Sequence, residues 1–119
     1  MRPESRDKAC LWDMLQSVDE ARALCRGLTF ETVEGDRRTL LALERLMELI
    51  GEAAQRVSDE FQRAHPEIAW RKIIGMRNVL AHEYGRIDHR RLFLAATRDT
   101  AALSRLIKAA LANQSKPKK

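Results

Sequence analysis

The chain is poor in the residues that staple or punctuate a fold. Its 119 residues include two cysteines, three prolines and five glycines, and aromatic side chains make up 5%. Cys10 and Cys25 lie fifteen apart in what reads as one helix. At ~1.5 Å rise per residue they stand more than ~20 Å apart, too far for a disulfide within the chain. Neither has a second Cys or a His at ligand spacing, so no zinc site is expected and reduced core thiols fit best. No apolar run is long enough to span a bilayer. Met1-Arg2-Pro3-Glu4 leads straight into charged sequence, so no signal peptide is expected and the expected location is cytoplasmic. A Gly-rich phosphate loop, a Ser/His/Asp set and a His-Glu-x-x-His pattern are all missing, and no cofactor or metal is expected.

Leu, Ala, Glu and Arg dominate instead. These residues lose little freedom in helices, so the expected class is all-α, as one domain over residues 1–113 with a basic tail at 114–119. A chain this long can bury a core without staples. The formal net charge is +5, but Lys116, Lys118 and Lys119 supply three of those charges. The local distribution is more informative. Between residues 71 and 91 stand Arg71, Lys72, Arg77, Arg86, Arg90 and Arg91, opposed by Glu83 and Asp88. A polyanion would be drawn to that segment, although arginines on a solvated helix face would give the same charge.

Apolar spacing predicts four main helices. The first, from about Asp7 to Gly27, carries Leu11, Met14, Leu15, Val18, Ala21 and Leu24. Residues 28–36 read as a connection in which Phe30 and Val33 tuck under the bundle. The second helix, Arg37 to Arg63, starts at Asp36 or Gly35 and ends at His65-Pro66, because proline cannot continue the ladder. Gly51, Ala53 and Ala54 in it would let another helix approach closely. Glu52 beside them is either a surface carboxylate or one that pairs with a motif arginine or orients a catalytic group. His65 reads as a helix-end residue and His89 as a surface one. The third helix covers 70–84 with a possible break at Gly75, and the fourth runs from His89 to Asn113 with Asp88 as its N-cap.

One stretch gathers chemically capable groups: Arg77-Asn78-Val79-Leu80-Ala81-His82-Glu83-Tyr84. On an ideal helix Asn78 and His82 share a face, and Arg77 and Tyr84 lie about 20° apart in azimuth. Arg77 and His82 are separated by about 140°, so one helix does not converge all four groups unless the long arginine reaches around. Metal-free RNA cleavage needs a base for the 2′-OH, an acid for the 5′-oxygen and positive charge beside the phosphate. One imidazole cannot begin in both protonation states, so two protomers would supply the pair. Arg77 would clamp the phosphate, Asn78 would orient His82, and Tyr84 could bond the phosphate or leaving group. Arg71, Lys72 and Arg86 are candidate RNA-backbone contacts. Spacing alone favours His82 as a satisfied packing residue and Arg77 as a surface ion-pair former.

At these residues the chain resembles the HepT-like proteins, minimal HEPN-domain toxins of toxin–antitoxin pairs. The resemblance runs from Leu11-Trp12-Asp13-Met14 through Ile50-Gly51-Glu52-Ala53-Ala54 and His65-Pro66-Glu67-Ile68-Ala69-Trp70 to Gly75-Met76-Arg77-Asn78 and Leu80-Ala81-His82-Glu83-Tyr84. The family's Arg-x-x-x-x-His-x-Tyr pattern stands here as Arg77, His82 and Tyr84. It implies an up-and-down bundle of four to five helices that dimerises through the motif helix. It also implies a metal-independent endoribonuclease acting on tRNA or mRNA. The partner it implies is a nucleotidyltransferase antitoxin that adenylylates the motif tyrosine, here Tyr84. Ala69 departs from the proline that many members carry before Trp, which should loosen that turn. The alternative function is a non-catalytic HEPN module that docks a nucleotidyltransferase or a nucleotide.

Overall fold

The computed structural model describes residues 3–83 and 87–115. Four long helical runs form the bundle: α1 (Pro3–Cys25), α3 (Arg37–Arg56), α5 (Trp70–His82) and a C-terminal run. That run is α6 (His89–Leu94), a π-helical turn (Ala95–Asp99) and α7 (Thr100–Ser115), without interruption. Two short helices, α2 (Phe30–Gly35) and α4 (Asp59–Ala64), join the long ones, and there is no strand among the described residues. α3 is the central helix: α1 packs along one side of it and α5 along another, while α7 lies on α1. Leu11, Met14 and Val18 of α1 meet Leu43 and Ile50 of α3 and Leu92 and Ile107 of the C-terminal run in one buried cluster. Each such side chain contributes roughly 1.5–3 kcal/mol when fully buried. The all-α expectation is met, and the three/four periodicity chose the core faces.

The boundaries differ from expectation in ways that packing explains. α1 begins at Pro3 rather than Asp7 and ends at Cys25, with Gly27 at φ +75° closing its end. Only a residue without Cβ takes that left-handed conformation freely. The 28–36 connection contains α2, capped by the Thr29 hydroxyl on Thr32 N at 3.2 Å. Val33 is buried there and Phe30 packs edge-on to Phe93 at 6.0 Å between centroids. Asp36 caps α3, as Asp88 caps α6, each accepting from a first-turn amide.

The predicted 37–63 helix is two helices. It breaks after Arg56, where Val57 turns to φ −70°, ψ 137° and Ser58 starts α4 as its N-cap. The cause is tertiary. Asp7 of α1 is buried and accepts from Ser58 N at 2.8 Å and Ser58 Oγ at 2.7 Å. Gln62 Nε2 donates to the carbonyls of Ala54 at 3.3 Å and Val57 at 3.0 Å, and the Val57 amide also bonds the Ala54 carbonyl at 3.1 Å.

α4 hands over to α5 through aromatic packing. His65 ends α4, stacks on Phe61 at 4.2 Å and bonds Glu67 Oε1 through Nδ1 at 3.0 Å. Trp70 Nε1 donates to the His65 carbonyl at 2.9 Å and fixes the start of α5. Ala69 supplies no side-chain cap to that helix. α5 runs through Gly75 without a break and ends at His82, two residues short of the predicted end. α7 extends two residues beyond the predicted Asn113. His89 is a half-buried link rather than a free surface residue, 3.8 Å from Glu34 of α2 and 4.0 Å from Glu44 of α3.

Candidate functional site

α5 is a helix of three faces. Trp70, Ile73, Arg77 and Leu80 lie on the side that packs on α3, at azimuths set by ~100° per residue. Lys72, Met76 and Val79 line a groove toward the C-terminal run. Arg71, Asn78 and His82 fall within about 40° of one another on the third face, and all three are exposed.

Arg77 therefore starts on the wrong side, and the structure shows how it crosses. α3 and α5 approach closely at Gly51. A Cβ added there would overlap the Arg77 Cβ, lie 2.9 Å from its Cγ and come within 3.1 Å of the Ile73 carbonyl. The helices hold the arginine stem in the space where residue 51 has no side chain. From there the side chain turns outward, and Nη1 donates to Asn78 Oδ1 at 3.2 Å, a surface bond. Its Nε is buried with no hydrogen-bond partner among the described residues. A buried donor left unmade costs on the order of 1–3 kcal/mol, so packing of the stem and the Asn78 bond together must hold this orientation. The anticipated close approach at Gly51 is real, and its partner is the motif arginine itself.

Asn78 thus holds Arg77 in the protomer, where orientation of His82 had been expected. His82 occupies the last turn of α5, and the Glu83 amide closes that turn on the Val79 carbonyl at 2.8 Å. Glu52 pairs with Arg45 at 3.3 Å on its own helix and not with a motif arginine, so it takes the surface alternative. Lys72 pairs with Asp99 of the π turn at 3.2 Å, which partly neutralises one expected RNA contact. Arg71 is exposed as expected. Tyr84 and Arg86 lie outside the described residues.

Two features went unread in the sequence. Asp7 marks only the expected start of the first helix, and nothing local names Ser58 as its partner. Asp99 lies in a π turn, where Thr97 Oγ1 donates to the Phe93 carbonyl at 2.8 Å and the Thr100 hydroxyl to the Ala96 carbonyl. Threonines bonding back to the carbonyl four residues earlier are compatible with any helix and give no advance signal of a bulge. The groove beside the site, of about 510 Å³ near Val79 and Leu92 and about 240 Å³ near Ile73 and Leu106, is largely apolar. Among the described residues no three His, Cys, Asp or Glu side chains gather as a metal site, and no helix is long and apolar enough to cross a membrane.

Comparison with known proteins identifies the family. A Thermococcus cleftensis protein named "Probable ribonuclease HepT" is 34% identical over 96 residues, covering 81% of this chain and 87% of the relative. A Caldanaerobacter subterraneus protein is 30% identical, over 80% of this chain and 85% of its own length. One from Methanocaldococcus jannaschii is 29% identical, over 69% and 75%. Both also carry RNase names. No solved structure matches. The family model described as "Ribonuclease HepT-like" matches residues 14–110, and the chain belongs to that ribonuclease family.

Proposed function

We propose that the chain is a metal-independent endoribonuclease, active as a homodimer, in which the exposed face of α5 is half of the cleavage site. The observation that carries this reading is the path of Arg77. Its guanidinium leaves the α3 side of the helix and meets Asn78 on the face that also bears His82. A positive fork and an imidazole on one open helix face suit in-line attack at an RNA phosphate.

In the proposed reaction one His82 takes the proton of the ribose 2′-OH, and the 2′-oxygen attacks phosphorus. Arg77 stabilises the charge on the pentacovalent phosphate. The His82 of the second protomer, protonated at the start, gives its proton to the departing 5′-oxygen. The products are a 2′,3′-cyclic phosphate and a 5′-OH end. Each protomer contributes one such histidine, which is why two copies are needed. Arg71, Lys72 and Arg86 would hold the RNA backbone on either side.

The family resemblance extends the reading to biology. The chain would be the toxin of a toxin–antitoxin pair, acting in the cytoplasm on tRNA or mRNA. A nucleotidyltransferase antitoxin would silence it by adenylylating Tyr84, which sets a bulky anion in a basic cleft. The test is purified protein with total RNA in excess chelator. Cleavage that survives chelation and vanishes in Arg77→Ala and His82→Ala, with both variants still folded, supports the enzyme. Absence of cleavage by the native chain overturns it in favour of a non-catalytic module that docks a nucleotidyltransferase or nucleotide.

A further inference from the structure

Every glycine on a long helix carries a stability cost relative to alanine, so a buried one invites a reason. Gly51 is fully packed in the middle of α3, and its neighbours across the interface are the Cβ and Cγ of Arg77 and the carbonyl of Ile73. The nearest side-chain atoms that an added methyl would meet are those of the motif arginine. That arginine has its Nε buried and without a hydrogen-bond partner among the described residues, while Nη1 lies at the surface beside Asn78.

We infer that Gly51 is a positioning residue for Arg77. It seats the arginine stem so deeply that the guanidinium can meet a phosphate only through its outer Nη edge. This inference rests on Arg77 being the phosphate clamp. An arginine can grip an oxyanion side-on, through Nε and one Nη, or end-on, through both Nη groups. With Nε buried, the side-on mode is closed. Asn78 fixes the rotation of the remaining edge through Nη1. The incoming phosphate must then approach along the axis of the side chain, from the exposed face of α5, where His82 stands. Gly51 touches no substrate; it acts through Arg77 alone.

The experiment follows the Arg77 Nε–H directly, by NMR on the full chain, with its resonance assigned by its loss in Arg77→Lys. In the native chain this proton should exchange slowly with solvent. Gly51→Ala should speed its exchange by at least about tenfold while backbone amides of α3 and α5 keep their protection. Cleavage of a mixed-sequence fluorogenic RNA should lose kcat on the order of 10- to 100-fold, with KM moving less than about twofold. A folded Gly51→Ala protein that keeps the native exchange rate, or loses it without loss of kcat, overturns the inference. A proportional drop in active fraction with kcat per folded molecule intact would mark a merely structural role and also overturns it. If Gly51→Ala does not fold, it is combined with Arg77→Gly, which removes both clashing carbons. Recovery of the fold then supports the seating, and continued failure overturns it. The clamp reading fails separately: it is lost if Arg77→Ala cleaves at the native rate with Gly51 in place.

Discussion

The carboxylate of Asp7 spans 51 residues of sequence to accept both the backbone N–H of Ser58, at 2.8 Å, and its hydroxyl, at 2.7 Å. Ser58 Oγ in turn accepts from Phe61 N at 3.1 Å, so one buried carboxylate orders the cap of α4 from the first helix. Asp7→Ala leaves both Ser58 donors without their partner and should cost about 2–4 kcal/mol in urea unfolding. Ser58→Ala should cost about 1–2 kcal/mol. The two losses should fall well short of additive in the double variant, because they break the same link. Full additivity would mean that the contact does not couple α1 to α4.

Asp36 offers a pH signature. The Thr39 hydroxyl, bonded at 3.0 Å, together with the amides of Thr39 and Arg38, holds its carboxyl below the ordinary value of 3.8. A carboxylate with a lowered folded pKa stabilises the protein fully above the ordinary value. That contribution disappears as pH falls through the lowered one. The difference in Tm between the native chain and Asp36→Ala should be constant from pH 7 to 5 and shrink toward pH 3. A difference that is flat down to pH 3 would refute the cap's ionic character.

The two thiols should be inert in the folded protein. Burial pushes Cys25 above the usual thiol value and does the same to Cys10, where the nearby Arg56 charge only partly opposes it. Since the thiolate is the reactive form, labelling by a disulfide reagent at pH 8 should be slow and should follow global opening. Rapid stoichiometric labelling of the native chain would show that the α1 core is looser than its packing indicates.

Arg71 and Lys72 should not contribute alike to RNA binding. Arg71 is exposed on the His82 face, whereas Lys72 faces the groove and already pairs with Asp99 at 3.2 Å. Arg71→Ala should weaken binding of a catalytically silent His82→Ala protein to RNA and lower the salt slope by about one. Lys72→Ala should change both less, and Asp99→Asn should strengthen binding by freeing the lysine. Equal effects of Arg71→Ala and Lys72→Ala, measured by fluorescence anisotropy at several salt concentrations, would contradict this assignment.

Much of the molecule was legible beforehand because periodicity reports burial. Leu11, Met14 and Val18, and Leu43, Met47 and Ile50, recur at three/four spacing and form the core where expected. Asp36 and Asp88 announced their caps, since a short acceptor before an apolar run satisfies the first amides whatever the tertiary context. The break after Arg56 was not legible. Its apolar pattern continues through Val57 and Phe61, and the residue that forces the break is Asp7, remote in sequence. Likewise the Lys72–Asp99 pair joins two helices whose relative placement no local pattern encodes.

The sequence by itself determined the class, the core faces, the family and the residues Arg77, Asn78 and His82 as a group worth testing. Those follow from local chemistry: spacing, capping and a motif whose letters are contiguous. It also correctly set Arg77 and His82 about 140° apart, since helical pitch is a local property. Only the tertiary structure decided how that gap is crossed. A guanidinium's direction depends on what crowds its stem, and here the crowding comes from α3, which is open at Gly51 and nowhere names Arg77 as its partner. Long-range packing chose the side on which the arginine emerges, and with it the face of α5 that a phosphate would meet.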